Sequence, residues 1–277
     1  MAIFDNHFHL RPSGLGVEAA KTFEKAGGTA LMLTHSPYDD IPIRRAGDYD
    51  LAYDRTLSMA RAVRDATHLK VFVALGPYPV DLLPLQESIG LAGGVRILKR
   101  GIELAIRRIK AGDAVALGEV GRPHFPVDEE VRAASNEIML HALVAAKDCG
   151  CAVVLHTEDP TRETFAEIAA MADDAGLPRE RVVKHHSTPL THRDDNFGLV
   201  PSILAKEELV REALKGGARF CLETDYIDDP RRPGAVLGPA TVPKKTKLWI
   251  GRGIMSETQA HEIHRVLPER TYGIEIE

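Results

Sequence analysis

The sequence predicts a single (β/α)8 TIM barrel spanning residues 1–277, and three observations point to this α/β fold class. Short apolar runs alternate with longer amphipathic stretches from one end of the chain to the other. Eight such runs occur in 277 residues, or about 34 residues per strand–helix unit. The length also suits one barrel, since such domains commonly fill about 250 residues. An open doubly wound sheet is the alternative, which is weakened because no G-x-G-x-x-G follows the first strand.

The eight predicted strands are rich in Val, Ile, Leu and Phe and lack period-two alternation, as is typical of parallel strands buried on both faces. They lie at Ala2–Phe4 leading into Asp5–Leu10, Thr29–Thr34, Lys70–Leu75, Ala114–Leu117, Ala152–Leu155, Arg181–Lys184, Gly198–Ile203 and Ala218–Leu222. Helical periodicity predicts helices over Val17–Ala26, Leu51–Ala66, Val95–Ala111, Glu129–Cys149, Arg162–Ala175 and Lys206–Lys215. Two segments, Ser36–Arg55 and Ile227–Lys247, are predicted to be long and irregular, and such loops in compact domains are usually functional lids or disordered.

Composition excludes several classes of protein. Lys and Arg total 35 against 40 Asp and Glu, a formal net charge of −5, which argues weakly against non-specific nucleic-acid binding. No apolar run approaches the roughly 18 residues of a spanning helix, so no membrane association is expected. The N-terminus shows no secretory signal and the three cysteines form no C-x-x-C pair, which favours a cytoplasmic location. Histidine is the unusual residue, because its count of 12 exceeds that of Phe or Tyr.

Imidazoles and carboxylates follow six of the eight predicted strands, at the edge where barrels place their active sites. These strand ends are His7-Phe8-His9, Thr34-His35, Gly118-Glu119, His156-Thr157-Glu158, His185-His186 and Glu223-Thr224-Asp225. Because His7 and His9 are two residues apart, an extended strand places both side chains on one face. A lone histidine is more often a hydrogen-bonded core residue, but a core does not need titratable groups at six strand ends. The set therefore predicts metal ligands.

The number of candidate ligands predicts two divalent ions, with zinc favoured and magnesium or manganese as alternatives. His7, His9 and Asp225 are expected to hold one ion, and His156 and His185 the other, with the Glu119 carboxylate bridging them. Such a dinuclear site activates a water for attack on the scissile group. Asp225 is predicted both to ligate metal and to receive the proton of that water as general base.

Five segments resemble a known family. They are Asn6–Leu10 (NHFHL), Leu117–Gly121 (LGEVG), Leu155-His156, Glu223–Asp225 (ETD) and the closing Leu267–Gly273 (LPERTYG). In this order and spacing they resemble the TatD-related branch of the amidohydrolase superfamily, and the details are most similar to archaeal-type predicted TIM-barrel hydrolases. The resemblance implies a distorted barrel with one to three divalent metals.

By position, the resemblance implies that His7 and His9 ligate the first metal, Glu119 bridges, and His156 with a histidine of the sixth strand holds the second. It assigns Asp225 the roles of ligand and base. Activities in the wider family include metal-dependent deoxyribonuclease, and neighbouring branches hydrolyse phosphotriesters, lactones and cyclic amides. Of the two adjacent histidines on the sixth strand, His185 is the predicted ligand because it follows the apolar run directly.

The sequence departs from the TatD pattern at three places that bear on the substrate. Arg122-Pro123-His124 follows Gly121, His185-His186-Ser187 ends the sixth strand, and a long charged segment, Tyr226–Pro233, follows Asp225. The substrate contacts predicted from these and neighbouring positions are Arg122, His35, His124 and His186. Arg44-Arg45 and Arg231-Arg232 are further candidates for binding an anion, although solvated loop charges explain them at least as well.

We expect a metal-dependent hydrolase in which metal-activated water attacks an ester or amide centre. The resemblance favours a phosphodiester substrate, either a small molecule or DNA. A lactone or cyclic-amide hydrolase is the alternative enzyme, and a non-catalytic metal-binding barrel is the alternative from another class. Nothing in the sequence decides the oligomeric state.

Overall fold

The structure, a computed structural model, describes residues 1–231 and 237–277. It contains a parallel sheet of nine strands: β1 (Phe4–His9), β2 (Ala30–Thr34), β3 (Lys70–Leu75), β4 (Ala116–Gly121), β5 (Ala152–His156), β6 (Val182–Lys184), β7 (Val200–Leu204), β8 (Cys221–Glu223) and β9 (Tyr226–Ile227). Neighbours follow the order β8-β7-β6-β5-β4-β3-β2-β1-β9. Because β9 follows β8 directly in the chain and pairs with β1, the sheet curls round into a TIM-barrel-like fold.

All eight predicted strands are confirmed, with shifts at their ends. The fourth strand runs through Gly121, beyond the apolar run that predicted it, so that the polar Glu119 lies within it. β9 was not predicted, because its two residues are too few to give a hydrophobic pattern. It pairs with Phe8 and His9 at the carboxyl end of β1.

Ten α-helices surround the sheet in the described part of the chain: α1 (Val17–Ala26), α2 (Gly47–Ala66), α3 (Leu82–Ile89), α4 (Leu91–Lys110), α5 (Glu129–Cys149), α6 (Arg162–Ala175), α7 (Glu207–Ala213), α8 (Thr241–Gly251), α9 (Glu257–His261) and α10 (Leu267–Tyr272). A π-helical turn, Glu262–Val266, joins the last two. The bounds predicted for α1, α5 and α6 are confirmed. None of these helices is long and apolar enough to cross a membrane.

Both segments predicted to be irregular are in fact partly helical, so that expectation was wrong in part. α2 begins at Gly47, and α8 occupies Thr241–Gly251. The proline at position 243 suggested a loop, but it lies in the first turn of α8, where the helix does not need its missing N–H. Val242, Thr246 and Trp249 lie at helical spacing and are buried.

Two apolar layers, one inside the barrel and one between the sheet and the helices, stabilise the fold. Alternate strand residues face inward, where small side chains such as Ala30, Ala74 and Ala116 pack around Phe4 and Met32. The other residues of each strand pack outward against the helices. The C-terminal segment closes this interior, since Leu267, Tyr272 and Ile276 belong to the same inner cluster. The Tyr272 hydroxyl lies 2.9 Å from Asn6 Oδ1, one residue before the first predicted ligand.

His264 attaches the π-helical turn to the first strand. Its side chain is fully buried, with Nδ1 3.0 Å from the Phe4 carbonyl oxygen and Nε2 2.9 Å from Thr246 Oγ1. Burial disfavours the charged imidazolium and lowers the pKa of His264 from 6.5 to about 4. The folded protein therefore holds this histidine neutral at pH values where an unfolded chain protonates it.

This predicts a pH-dependent contribution to stability. Below about pH 6.5 the unfolded state binds a proton at His264 that the folded state does not take up until about pH 4, so the free energy of unfolding falls as the pH falls through this window. Between pH 7.5 and 4.5, the wild type should lose about 2 kcal/mol more than His264→Gln in denaturant titrations. His261→Gln, an exposed histidine of the neighbouring α9, is the control. Equal losses in wild type and His264→Gln would contradict this assignment.

Candidate functional site

The carboxyl ends of the strands bring the predicted ligands together. His7 and His9 are both buried on β1, which carries a register irregularity between Asp5 and Phe8. Their Nε2 atoms lie 3.2 Å apart. His9 Nε2 is also 3.7 Å from Oδ1 of Asp225, which follows β8. Ligand atoms of His7, His9 and Asp225 all lie within 4.8 Å of one another, so these three residues form one group that could hold a cation.

A second group forms at β4, β5 and β6. His156 Nδ1 lies 3.0 Å from His185 Nε2, and Glu119 contributes a carboxylate oxygen within 4.8 Å of both. His185 is buried, whereas the neighbouring His186 is half-buried and has a positive φ of 47°. The structure thus turns His185, rather than His186, toward the centre of the cluster.

Glu119 Oε1 lies between the two groups. It is 2.7 Å from His7 Nε2 and 3.0 Å from His185 Nε2. The same oxygen is 3.7 Å from His156 Nδ1 and 4.0 Å from His9 Nε2. One carboxylate oxygen is therefore within 4 Å of four imidazole nitrogens on three strands. This is the placement that a bridging ligand needs.

A second layer of polar residues orients these side chains. His9 Nδ1 lies 2.8 Å from the Thr34 carbonyl oxygen, which fixes Nδ1–H as the donor and leaves Nε2 with its lone pair directed at the cluster. His185 Nδ1 lies 3.5 Å from Glu223 Oε1, a carboxylate–histidine pair. Glu223 also accepts a hydrogen bond from the His186 N–H, at 2.7 Å, and one from Ser202 Oγ.

Two residues that support the site, Glu223 and Asp5, were not among the predicted site residues. Glu223 is fully buried and forms a third possible ligand group with His7 and His185. Its place in the Glu223-Thr224-Asp225 motif, at the carboxyl end of the eighth strand, was the available signal. Asp5 is also fully buried and accepts hydrogen bonds from the N–H and hydroxyl of Thr224, at 3.0 and 2.8 Å. Burial raises the pKa of Asp5 to about 8.

Burial and charge compete in the cluster. Burial lowers the pKa of His9 to about 4 and also lowers that of His156. Burial also opposes ionisation of Glu119, but the adjacent His185, His156 and His7 outweigh it and hold the pKa of that carboxyl well below its usual range. For Asp225 the burial penalty is outweighed by the hydrogen bond from His186, and the pKa falls to about 2. These buried carboxylates require positive charge beside them.

The donor set fits divalent cations. Imidazole nitrogens and carboxylate oxygens from separate strands converge within ligand-to-ligand distances, and the outer nitrogen of His9 is hydrogen-bonded as metal-ligating histidines require. Among the described residues, the buried His7 Nδ1 has no hydrogen-bond partner, and His185 Nδ1 faces only the Glu223 carboxylate, at 3.5 Å. The residues present can therefore hold metal.

The cluster opens into a cavity of about 770 Å³ at the carboxyl face of the barrel. His9, Glu119, His156, His185 and Asp225 reach it from the cluster. The other lining residues are Arg11, Ser36, Pro37, Asp39, Tyr78, His124, Thr157, Glu158, Asp159, His186 and Ile227. The predicted ligands thus lie at the base of a site large enough for a small substrate.

Two of the four predicted substrate contacts line this cavity. His124 Nδ1 lies 2.9 Å from His156 Nε2, and His186 Nδ1 lies 3.1 Å from Asp225 Oδ2. His35 does not line the cavity, because it is buried behind His9 with Nδ1 2.8 Å from Thr56 Oγ1. Burial lowers the pKa of His35 to about 3, so it is neutral there.

The expectation that Arg122 contacts substrate does not agree with its surroundings. The Arg122 side chain is 2% exposed and donates two hydrogen bonds to Glu158, at 2.9 and 2.8 Å, and two to Glu167, at 2.9 and 3.0 Å. Asn136 Oδ1 accepts a further one at 2.8 Å. Its donors are therefore used in linking the end of β4 to α5 and α6. Sequence alone could not show that both partner carboxylates lie beside it.

Three of the other candidate arginines, Arg44, Arg45 and Arg231, do not line the cavity. Arg44 and Arg45 are exposed and do not line the cavity, and Arg45 pairs with Asp48. Arg231 pairs with Asp39 and Asp229. Arg232 lies outside the described residues.

A relative in sequence and several solved structures resemble this chain. An uncharacterised protein of Methanocaldococcus jannaschii is 36% identical over 283 residues, which cover 100% of this chain and 98% of the relative. Among solved structures, a TatD-like protein from Archaeoglobus fulgidus matches with a TM-score of 0.62 and 17% identity, covering 98% of this chain and 100% of that one.

Two structures from Escherichia coli share the fold. A TatD homologue from strain K12 matches with a TM-score of 0.65 and 19% identity, and a phosphotriesterase homology protein with phosphate in its active site matches with a TM-score of 0.66 and 14% identity. Each match covers 98% of both chains. These identities show the fold alone. The family model described as TatD related DNase, however, matches residues 4–273, and the chain therefore belongs to the TatD-related DNase family.

Proposed function

We propose that this protein is a hydrolase that binds two divalent metal ions and cleaves phosphodiesters. The observation that carries the proposal is the position of Glu119 Oε1, between a group formed by His7, His9 and Asp225 and a group formed by His156 and His185. A carboxylate between two sets of imidazoles is the arrangement of a dinuclear hydrolytic centre. Family membership supports the hydrolase class.

The proposed ligands are those of the two groups, with Glu119 shared between them and Glu223 orienting His185. The mixture of nitrogen and oxygen donors favours zinc, and magnesium or manganese would be favoured by the carboxylates alone. A divalent ion in such a site supplies a Lewis acid for the scissile group and makes water nucleophilic near neutral pH.

Asp225 is the proposed proton acceptor. Its pKa of about 2 keeps it ionised, and Oδ2 lies 3.1 Å from His186 Nδ1. Asp225 has a positive φ of 49° and His186 one of 47°, conformations that non-glycine residues rarely adopt and that are concentrated at functional sites. The backbone thus holds the carboxylate and its histidine partner in the lining of the cavity. His186 can fix the orientation of the carboxylate while Oδ1 remains directed at His9.

The choice of a phosphodiester rests on the family description and on fold relatives. The family model is described as TatD related DNase, and a phosphotriesterase homology protein of the same fold holds phosphate in its active site. The net charge of −5 favours a short or small phosphodiester over extended duplex DNA, whose binding depends on many cationic contacts. The three cysteines are unpaired, and we place the enzyme in the cytoplasm.

The metal centre leads to a first prediction. Protein purified without chelator should contain two divalent ions per chain by elemental analysis, and His7→Ala with His9→Ala should retain one at most, because the first group loses both imidazoles. The exposed pair His68→Ala with His192→Ala is the matched control and should keep the wild-type content. Undiminished metal in the His7/His9 variant would refute the site.

The substrate class is tested by turnover. Metal-loaded protein should hydrolyse bis(p-nitrophenyl) phosphate and a single-stranded oligonucleotide faster than γ-butyrolactone or dihydrouracil. Each is to be assayed with zinc, magnesium and manganese. Turnover of the lactone or cyclic amide alone would favour the alternative acyl-type hydrolase, and no turnover of any phosphodiester would reject the proposed substrate.

The role of Asp225 gives a further prediction. Asp225→Asn preserves the shape of the side chain but removes the charge and most of its basicity. It should lower kcat on bis(p-nitrophenyl) phosphate by roughly 10²- to 10⁴-fold, the usual contribution of a general base. Metal content must be measured in parallel, since Asp225 is also a proposed ligand. Asp194→Asn, an exposed carboxylate away from the cavity, is the control, and wild-type kcat in Asp225→Asn would exclude the role.

A further inference from the structure

One wall of the cavity carries a cation that the metal centre does not use. This wall comes from the segments after β1 and β2 and from β9, and it includes Arg11, Asp39 and Ile227. The segment after β5 contributes Glu158 and Asp159 to the lining. Arg11 is the only Lys or Arg that lines the cavity within residues 1–231 and 237–277. It lies two residues beyond the ligand candidate His9.

The guanidinium of Arg11 is enclosed but incompletely paired. Its side chain is 14% exposed, and its Nε atom is buried with no hydrogen-bond partner among the described residues. The nearest carboxylates are those of Asp39 and Asp229, each 3.8 Å from Nη1, which is longer than a hydrogen bond. An unpaired buried donor is costly unless another group accepts from it.

Another arginine engages those carboxylates more closely. Arg231 Nη2 lies 2.7 Å from Asp39 Oδ2 and 2.8 Å from Asp229 Oδ2, and its Nε lies 3.0 Å from Asp229 Oδ1. The two acids are therefore hydrogen-bonded to Arg231 and not to Arg11, so the guanidinium donors of Arg11 are available to an anion that enters the cavity. Arg122, the arginine expected there from the sequence, is buried between Glu158 and Glu167 instead.

The backbone around Arg11 is anchored. The buried carboxylate of Asp228 accepts hydrogen bonds from the N–H groups of Arg11, Leu15 and Gly16, at 3.2, 2.7 and 2.7 Å. Its Oδ1 also accepts one from the Tyr226 hydroxyl, at 3.0 Å. The segment after β1 is thus tied to the segment after β9, and Arg11 is held at the rim of the cavity rather than on a free loop.

We propose that Arg11 is a specificity-determining residue that binds a non-bridging oxygen of the substrate's phosphate beside the metal centre. The Nη–H groups of a guanidinium donate charge-assisted hydrogen bonds to phosphate oxygens, and enclosure strengthens such a contact. The inference rests on the proposed function for the identity of the substrate, while the anion site itself rests on the pairing of Arg11. Neutral acyl substrates present no such anion and gain nothing from this residue.

The test compares Arg11→Gln and Arg11→Lys with wild type, with Arg44→Gln as the matched control, since Arg44 is an exposed arginine outside the cavity. Inorganic phosphate is titrated calorimetrically into metal-loaded protein. Arg11→Gln should weaken phosphate binding at least tenfold, Arg11→Lys should lie between, and Arg44→Gln should match wild type. On bis(p-nitrophenyl) phosphate, KM should rise by a similar factor while kcat stays within about threefold.

Two further measurements keep the inference separable from the proposed function. If no phosphodiester is turned over, the phosphate titration still decides on Arg11, and equal phosphate affinity in wild type and Arg11→Gln overturns the inference. Metal content is measured in each variant, because metal loss in Arg11→Gln would assign the effect to the metal centre and also overturn it. Asp39→Asn, which removes a competing carboxylate that is 65% exposed, should tighten phosphate binding severalfold, and weaker binding would contradict the anion site.

Discussion

The Glu119 carboxylate is the group on which the arrangement of the site depends. It is nearly inaccessible to solvent, yet it remains ionised because the imidazoles of His185, His156 and His7 lie beside it. A buried carboxylate without such partners would be strongly destabilising, so β1, β5 and β6 must each deliver a histidine to the position that β4 gives to Glu119. The parallel barrel meets this requirement, since it directs the carboxyl ends of all its strands to one face.

The imidazoles around Glu119 depend in turn on residues that never reach the cavity. Thr34 fixes the tautomer of His9 through its carbonyl oxygen, and Glu223 faces the outer nitrogen of His185. Asp5 holds Thr224, between Glu223 and Asp225, at the start of the connection from β8 to β9. The site therefore consists of an inner set of ligand candidates and an outer set that determines their orientation, as in metal sites generally.

The inner set of ligand candidates could be predicted because both the ends of the strands and the chemistry of the residues there can be read from the sequence. Every predicted strand and the convergence of the six ligand candidates could be inferred from apolar runs followed by His, Glu or Asp. Pairing across the fold could not be inferred. Arg122 and Arg11 both follow a strand that carries a ligand candidate, so the sequence does not distinguish them. Tertiary contacts do, because Arg122 is enclosed by Glu158 and Glu167 while Arg11 lines the cavity.

The same reasoning explains the missed elements. β9 has two residues and exists because β1 offers an edge at Phe8 and His9, so its cause is tertiary. That short strand also positions the acids after it, because Asp228 then reaches back to the segment after β1. The pairing of β9 with β1 therefore both closes the barrel and positions the segment that carries Arg11. If Arg11 binds the substrate phosphate, the contact that completes the sheet also helps to set where that phosphate lies, since Arg11 is the only Lys or Arg of the described residues that lines the cavity.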